Sequence, residues 1–129
     1  MKVVDINGVY QANNFHELET LLMRRCENGL NCFWLSHGDE EYPTLSLLVK
    51  DEVASLNYIP KEFDAGFVSV TSMPVLKKGE TTTFSISKNA ADDVVVSNES
   101  VLTFSAALRA VKEFFHSKAL PELVEWLQL

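Results

Sequence analysis

The stretch Tyr42-Pro43-Thr44-Leu45-Ser46-Leu47-Leu48-Val49-Lys50-Asp51-Glu52-Val53-Ala54-Ser55-Leu56-Asn57-Tyr58 decides the fold. Leu45, Leu47 and Val49 alternate with Thr44 and Ser46, the period of a half-buried strand. Lys50-Asp51 interrupts the pattern, and Val53 to Tyr58 resumes it in return. The parity of the loop follows from the pattern. An even loop sets Leu47 against Ala54 and Leu45 against Leu56, which keeps one face apolar. An odd loop sets Leu47 against Ser55 and mixes the faces. The sequence therefore predicts an antiparallel hairpin with two or four loop residues.

Upstream, Asn31-Cys32-Phe33-Trp34-Leu35-Ser36-His37 is apolar on both faces, as a buried strand is. Val3 to Ile6 reads as a strand, with Asn7-Gly8 as a hairpin turn and Val9-Tyr10 returning. Asn14 precedes Glu17 by three residues, a capping-box spacing. Phe15, Leu18, Leu21, Leu22 and Cys26 follow at helical intervals, so a helix is expected over Phe15 to Glu27, stopped by Asn28-Gly29.

Downstream, Ile59-Pro60 breaks the return strand and Lys61 to Gly66 is a loop. Short strands are expected at Phe67 to Val70, along Thr82, Phe84 and Ile86, and at Val94 to Val96. Thr103 is the expected N-cap of a second helix with Phe104, Ala107, Leu108, Val111 and Phe115 as its core stripe and Phe114 at its flank. Leu123 to Leu129 reads as a final strand with Val124 and Trp126 on one face. The whole is one α+β domain spanning residues 1–129, a mostly antiparallel β-sheet with two main α-helices packed on one face.

The 129 residues carry 18 acids and 11 bases, a net charge of −7. Phosphate backbones and anionic membranes repel such a surface, so neither nucleic acid nor membrane is an expected direct partner; the charge suits either a basic protein partner or plain solubility. No apolar run approaches the roughly 18 residues of a membrane span, and Asp5 falls where a signal peptide would be apolar. A cytoplasmic protein is expected, with Cys26 and Cys32 reduced.

The chain offers little catalytic chemistry. His16, His37 and His116 are scattered, and no paired cysteine spacing suits zinc. Ser85-Ile86-Ser87-Lys88 matches a serine-x-x-lysine string, but on a strand residues three apart point to opposite faces. Asp39-Glu40-Glu41, Asp51-Glu52 and Asp92-Asp93 lie in turn-like stretches without the desolvated, asymmetric setting that catalytic carboxylates need. Two acidic segments also carry an aromatic: Asp39-Glu40-Glu41-Tyr42 and Glu62-Phe63-Asp64. An aromatic in such a loop either covers the core or anchors a partner.

The segment Tyr42 to Val49 with its return Val53 to Tyr58, and Ala65-Gly66-Phe67 after it, resembles the central hairpin of an immunity-protein family. That family guards bacteria against polymorphic and interbacterial toxins, nucleic-acid deaminase toxins among them. Its C-terminal pattern, an Ala-rich helix ending in aromatics and then a Pro and a Trp, is similar to Ala106 to Phe115 followed by Pro121 and Trp126. The likeness covers roughly residues 42–126 and is poor over 68–100. The usual Gly before the Pro is replaced by Ser117-Lys118-Ala119-Leu120.

The resemblance implies a protein without catalytic residues, cofactor or metal, which binds one cognate toxin domain as a one-to-one heterodimer in the bacterial cytoplasm. The acidic balance agrees, because a nucleic-acid-acting toxin presents a positive surface. The expected toxin-binding residues are Asp39, Glu40, Glu41 and Tyr42, with Glu62, Phe63 and Asp64 as a second patch. The two segments flank the same end of the central hairpin and should emerge side by side. The alternatives are a small enzyme with an unrecognised site among the loop acids and Ser85 or Lys88, and an adaptor subunit of a larger assembly.

Overall fold

The computed structural model describes residues 1–129. Its frame is the expected hairpin: β4 (Thr44–Lys50) and β5 (Val53–Ile59) pair antiparallel across the two-residue turn Asp51-Glu52. The loop is even, as expected, but the turn lies one residue later than Lys50-Asp51. Leu47 therefore faces Leu56 instead of Ala54, which faces Val49, and Leu45 faces Tyr58. Asp51 adopts φ 50°, a left-handed conformation that Asp tolerates better than Lys. The shift of partners by two leaves every side chain on its expected face.

On one side of the hairpin lies β3 (Leu30–Ser36), then β1 (Lys2–Asp5) and the edge strand β2 (Gly8–Gln11). Asp5 pairs with Gly8, so the first turn is Ile6-Asn7, one residue before the expected Asn7-Gly8. The buried Asp5 carboxylate closes it, accepting from the backbone N–H of Asn7 (2.8 Å) and Gly8 (3.0 Å). On the other side, β6 (Phe67–Val70) and β9 (Leu102–Thr103) share one edge of β5, and β10 (Glu125–Gln128) lies outside β6. The Leu56 N–H falls between the two partners of β5. It donates to Ser69 Oγ at 3.0 Å, which in turn donates to the Ser100 carbonyl at 3.1 Å, so a hydroxyl completes the ladder.

Helix α1 (Phe15–Leu22) begins as expected: Asn14 Oδ1 accepts from Glu17 N at 2.9 Å. It ends five residues short of Glu27. Beyond it, Arg25 turns back to donate to the Leu22 carbonyl (2.7 Å) and the Asp51 carbonyl (3.1 Å), with its guanidinium 4.7 Å above the Phe104 ring. That clasp satisfies an orphan helix carbonyl and ties the helix end to the β4–β5 turn. Asn28 and Gly29 are left-handed, but they form a 3-10 turn leading into β3 instead of a helix cap.

Helix α2 (Phe104–Ser117) starts at the expected cap, Thr103 Oγ1 accepting from Ala106 N at 3.1 Å. Its fully buried stripe is Phe104, Ala107, Ala110, Val111 and Phe114. Leu108 and Phe115 are only half-buried, so the helix is rotated towards Phe114 relative to the sequence reading. Lys118 takes the left-handed cap position at φ 61°, and its N–H donates to the Phe114 carbonyl at 3.0 Å.

Both helices pack on the face that carries Phe33, Leu35, Leu45, Leu47, Val49, Ala54, Leu56 and Tyr58. Phe15 and Phe115 meet edge-on between the helices, with ring centroids 6.1 Å apart. The other face is covered at the turn end by a small second sheet, built from two of the expected short strands, whose pairing apart from the main sheet was not expected. Its strands β7 (Thr81–Phe84) and β8 (Val94–Ser97) bury Phe84 against Cys32, Leu48 and Val101. Burial there pushes the Cys32 thiol up to about 12, so it packs as a neutral side chain. No helix is long and apolar enough to cross a membrane.

Leu47 sits at the centre of the helix-side core with no exposed surface. Leu47→Ala is expected to lower unfolding free energy by about 2–5 kcal/mol in denaturant titration. A change below about 0.5 kcal/mol would contradict the register.

Candidate functional site

Thr44 pairs with Ile59, so the segment entering β4 and the segment leaving β5 start from neighbouring positions at one end of the sheet. These are the two acidic loops, residues 37–43 and 60–66. The opposite end is closed by the Asp51-Glu52 turn.

The C-terminal turn of α2 holds the bases of both loops. His37 Nε2 lies 3.1 Å from the Phe115 carbonyl, and its ring centroid is 4.8 Å from that of Phe114. Tyr58 donates its hydroxyl to the Lys118 carbonyl at 3.3 Å, and burial raises its pKa, which keeps it a donor. The last carbonyls of a helix lack intrahelical partners, so two side chains from the sheet are met by acceptors that need them. His37, Tyr58 and Lys118 are the positioning residues that the sequence reading missed. Nothing in Ser117-Lys118-Ala119 marks a left-handed cap, and Tyr58 reads as an ordinary strand residue.

In the first loop Asp39, Glu40 and Glu41 are exposed and Tyr42 is half-buried. Glu40 N–H donates to the His37 carbonyl at 3.1 Å, and Thr44 Oγ1 donates to the Glu41 carbonyl. The Lys118 ammonium is 4.0 Å from Glu40 Oε2, an exposed pair of little energetic weight.

In the second loop Asp64 N–H donates to the Lys61 carbonyl at 3.2 Å, closing a tight turn with Glu62 and Phe63 at its corners. Phe63 sits at φ 64° and is 98% exposed, so it does not cover the core. Asp64 is half-buried and braces the turn, Oδ1 accepting from Gly66 N–H at 2.7 Å. Gly66 fixes the loop to the sheet. It has φ 76°, and a Cβ there would lie 2.2 Å from the Tyr58 carbonyl oxygen. Its own carbonyl accepts from Leu129 N–H at 2.9 Å.

The two loops carry five carboxylates (Asp39, Glu40, Glu41, Glu62 and Asp64) and one ammonium group, that of Lys61, with the Lys118 ammonium beside Glu40. Of the expected contact residues, Asp39, Glu40, Glu41, Glu62 and Phe63 are exposed. Tyr42 and Asp64 are partly spent on the loops themselves.

The serine-x-x-lysine string lies elsewhere. β7 stops at Phe84, so Ser85 to Lys88 is a loop and not the continuing strand that was expected. Ser85 and Lys88 line a cleft of about 500 Å³ with Asn7, Cys26, Glu27 and Asp93. No histidine lines it, and no group of three or more His, Cys, Asp or Glu side chains is arranged to hold a metal ion.

No family model matches the chain. It is 26% identical, over 125 residues and 97% of each chain, to a protein of Burkholderia cenocepacia (strain H111) named double-stranded DNA deaminase immunity protein. This similarity along almost the whole chain bears out the resemblance carried by the central hairpin and the Ala-rich helix.

Gly66→Ala is expected to destabilise the protein by at least about 1–3 kcal/mol, because it adds backbone strain and a collision with the strand. Thermal unfolding measures the loss. An unchanged midpoint would show that the loop is not seated against β5 in this way.

Proposed function

We propose that this chain, similar along almost its whole length to the immunity protein of a DNA deaminase, is itself an immunity protein. It binds a deaminase toxin one-to-one in the bacterial cytoplasm and neutralises it through the acidic end of the sheet, without catalysis of its own. The observation that carries this reading is the pairing of charge with anchorage. Five carboxylates and an almost fully exposed Phe63 share the end where both loops leave the central hairpin.

A deaminase that acts on nucleic acid must hold phosphates, so its substrate face is cationic. Complementary charge accelerates encounter with such a face, and a central aromatic slows release. The bases of both loops are hydrogen-bonded to α2, so their entry points are ordered before binding and little entropy is lost there. The cleft beside Ser85 and Lys88 has no histidine in its lining to activate the serine.

Reversing Asp39, Glu40 and Glu41 to Lys together is expected to slow association with the cognate deaminase toxin by about tenfold or more at low salt. It should also flatten the salt dependence of association and leave folding intact. Stopped-flow kinetics and survival of cells expressing the toxin are the readouts. Unchanged kinetics with full protection would place the interface elsewhere.

A further inference from the structure

Phe63 is costly where it stands. A bulky side chain at positive φ is strained by roughly 1–2 kcal/mol, and Gly or Asn would make this turn more cheaply. At 98% exposure the ring gains almost nothing from packing in the free protein. The fold therefore does not account for a phenyl ring at this position. Its turn is nonetheless well held, by the Asp64-to-Lys61 and Gly66-to-Asp64 hydrogen bonds.

We propose that Phe63 enters the base pocket of the toxin, taking the place of the nucleobase to be deaminated. This rests on the reading of the chain as a deaminase immunity protein. An enzyme that deaminates a base in duplex DNA extrudes it from the stack into a pocket, where aromatic or apolar side chains hold the planar ring. The surrounding surface must accept the phosphates on either side of the extruded nucleotide. The second loop has the same form: a six-membered aromatic ring at the tip of a tight turn, with the exposed Glu62 on one side and Asp64 on the other. Asp39, Glu40 and Glu41 leave the neighbouring strand at the same end and extend the negative track. The Phe63 ring offers a flat apolar face and no polar edge, so it fits the stacking walls of such a pocket without being a substrate.

The test is competition at the pocket. Binding of the purified deaminase domain of the cognate toxin is measured against rising concentrations of two nucleoside transition-state analogues, one pyrimidine and one purine. Inhibition of deamination in the same preparation reports their occupancy. The analogue that occupies the pocket should weaken binding of the native protein in proportion to that occupancy. Phe63→Asn should fold at least as stably as the native protein, because Asn suits positive φ. It should dissociate from the toxin domain about tenfold faster or more, and its residual binding should not respond to the analogue. Unaltered binding of the native protein to an analogue-saturated domain would overturn the base-pocket assignment and leave the immunity reading standing. So would Phe63→Asn that binds as tightly as the native protein. Failure of the native protein to bind the toxin domain at all would overturn both.

Discussion

The pairing of Lys50 with Val53 across Asp51-Glu52 fixes the parity of the central hairpin, and the rest of the molecule depends on that parity. It sends Leu45, Leu47, Val49, Ala54, Leu56 and Tyr58 to one face, where they form the core with the two helices. It sends Leu48 to the other face, where the β7–β8 hairpin covers it. The same register sets Thr44 beside Ile59, so the two acidic loops have neighbouring roots. A slip of one residue would turn one of the two strands over, setting Ser55 beside Leu47 and mixing polar with apolar side chains on the helix-side face. One geometric constraint thus supplies both the core and the site.

The second constraint is the end of α2. A helix presents unpaired carbonyls at its C-terminus, and here they receive donors from His37 and Tyr58. The helix therefore acts as a brace under the loops as well as a source of apolar surface. The shared edge of β5 follows a similar logic. Ser69 Oγ accepts from the Leu56 N–H in the gap between β6 and β9. Such a hydroxyl is obligatory in place and invisible in pattern.

What the sequence disclosed divides along physical lines. Hairpin parity was legible because it needs only odd-or-even counting. The choice between Lys50-Asp51 and Asp51-Glu52 was not, since both turns have the same parity and differ only in which residue takes the left-handed conformation. Asn14 and Thr103 were legible as caps because capping is local chemistry. The early end of α1 was not, because helical spacing continues to Cys26 while the Arg25 clasp depends on Asp51 and Phe104, distant in sequence. Phe114 and Phe115 are adjacent aromatics, and only the rotation of the packed helix decides which is buried. The loop acids could be named from composition and placed from the hairpin. The exposure of Phe63 could not, because a loop phenylalanine usually covers something.

The central claim is that the protein meets its toxin with the end of the sheet opposite the Asp51-Glu52 turn. Amide hydrogen exchange of the free protein and of its complex with the toxin domain tests it most directly. Protection on binding should concentrate in residues 37–43 and 60–66, with residues 81–97 of the small sheet unchanged. Protection confined to 81–97, with both acidic loops exchanging as in the free protein, would contradict the account.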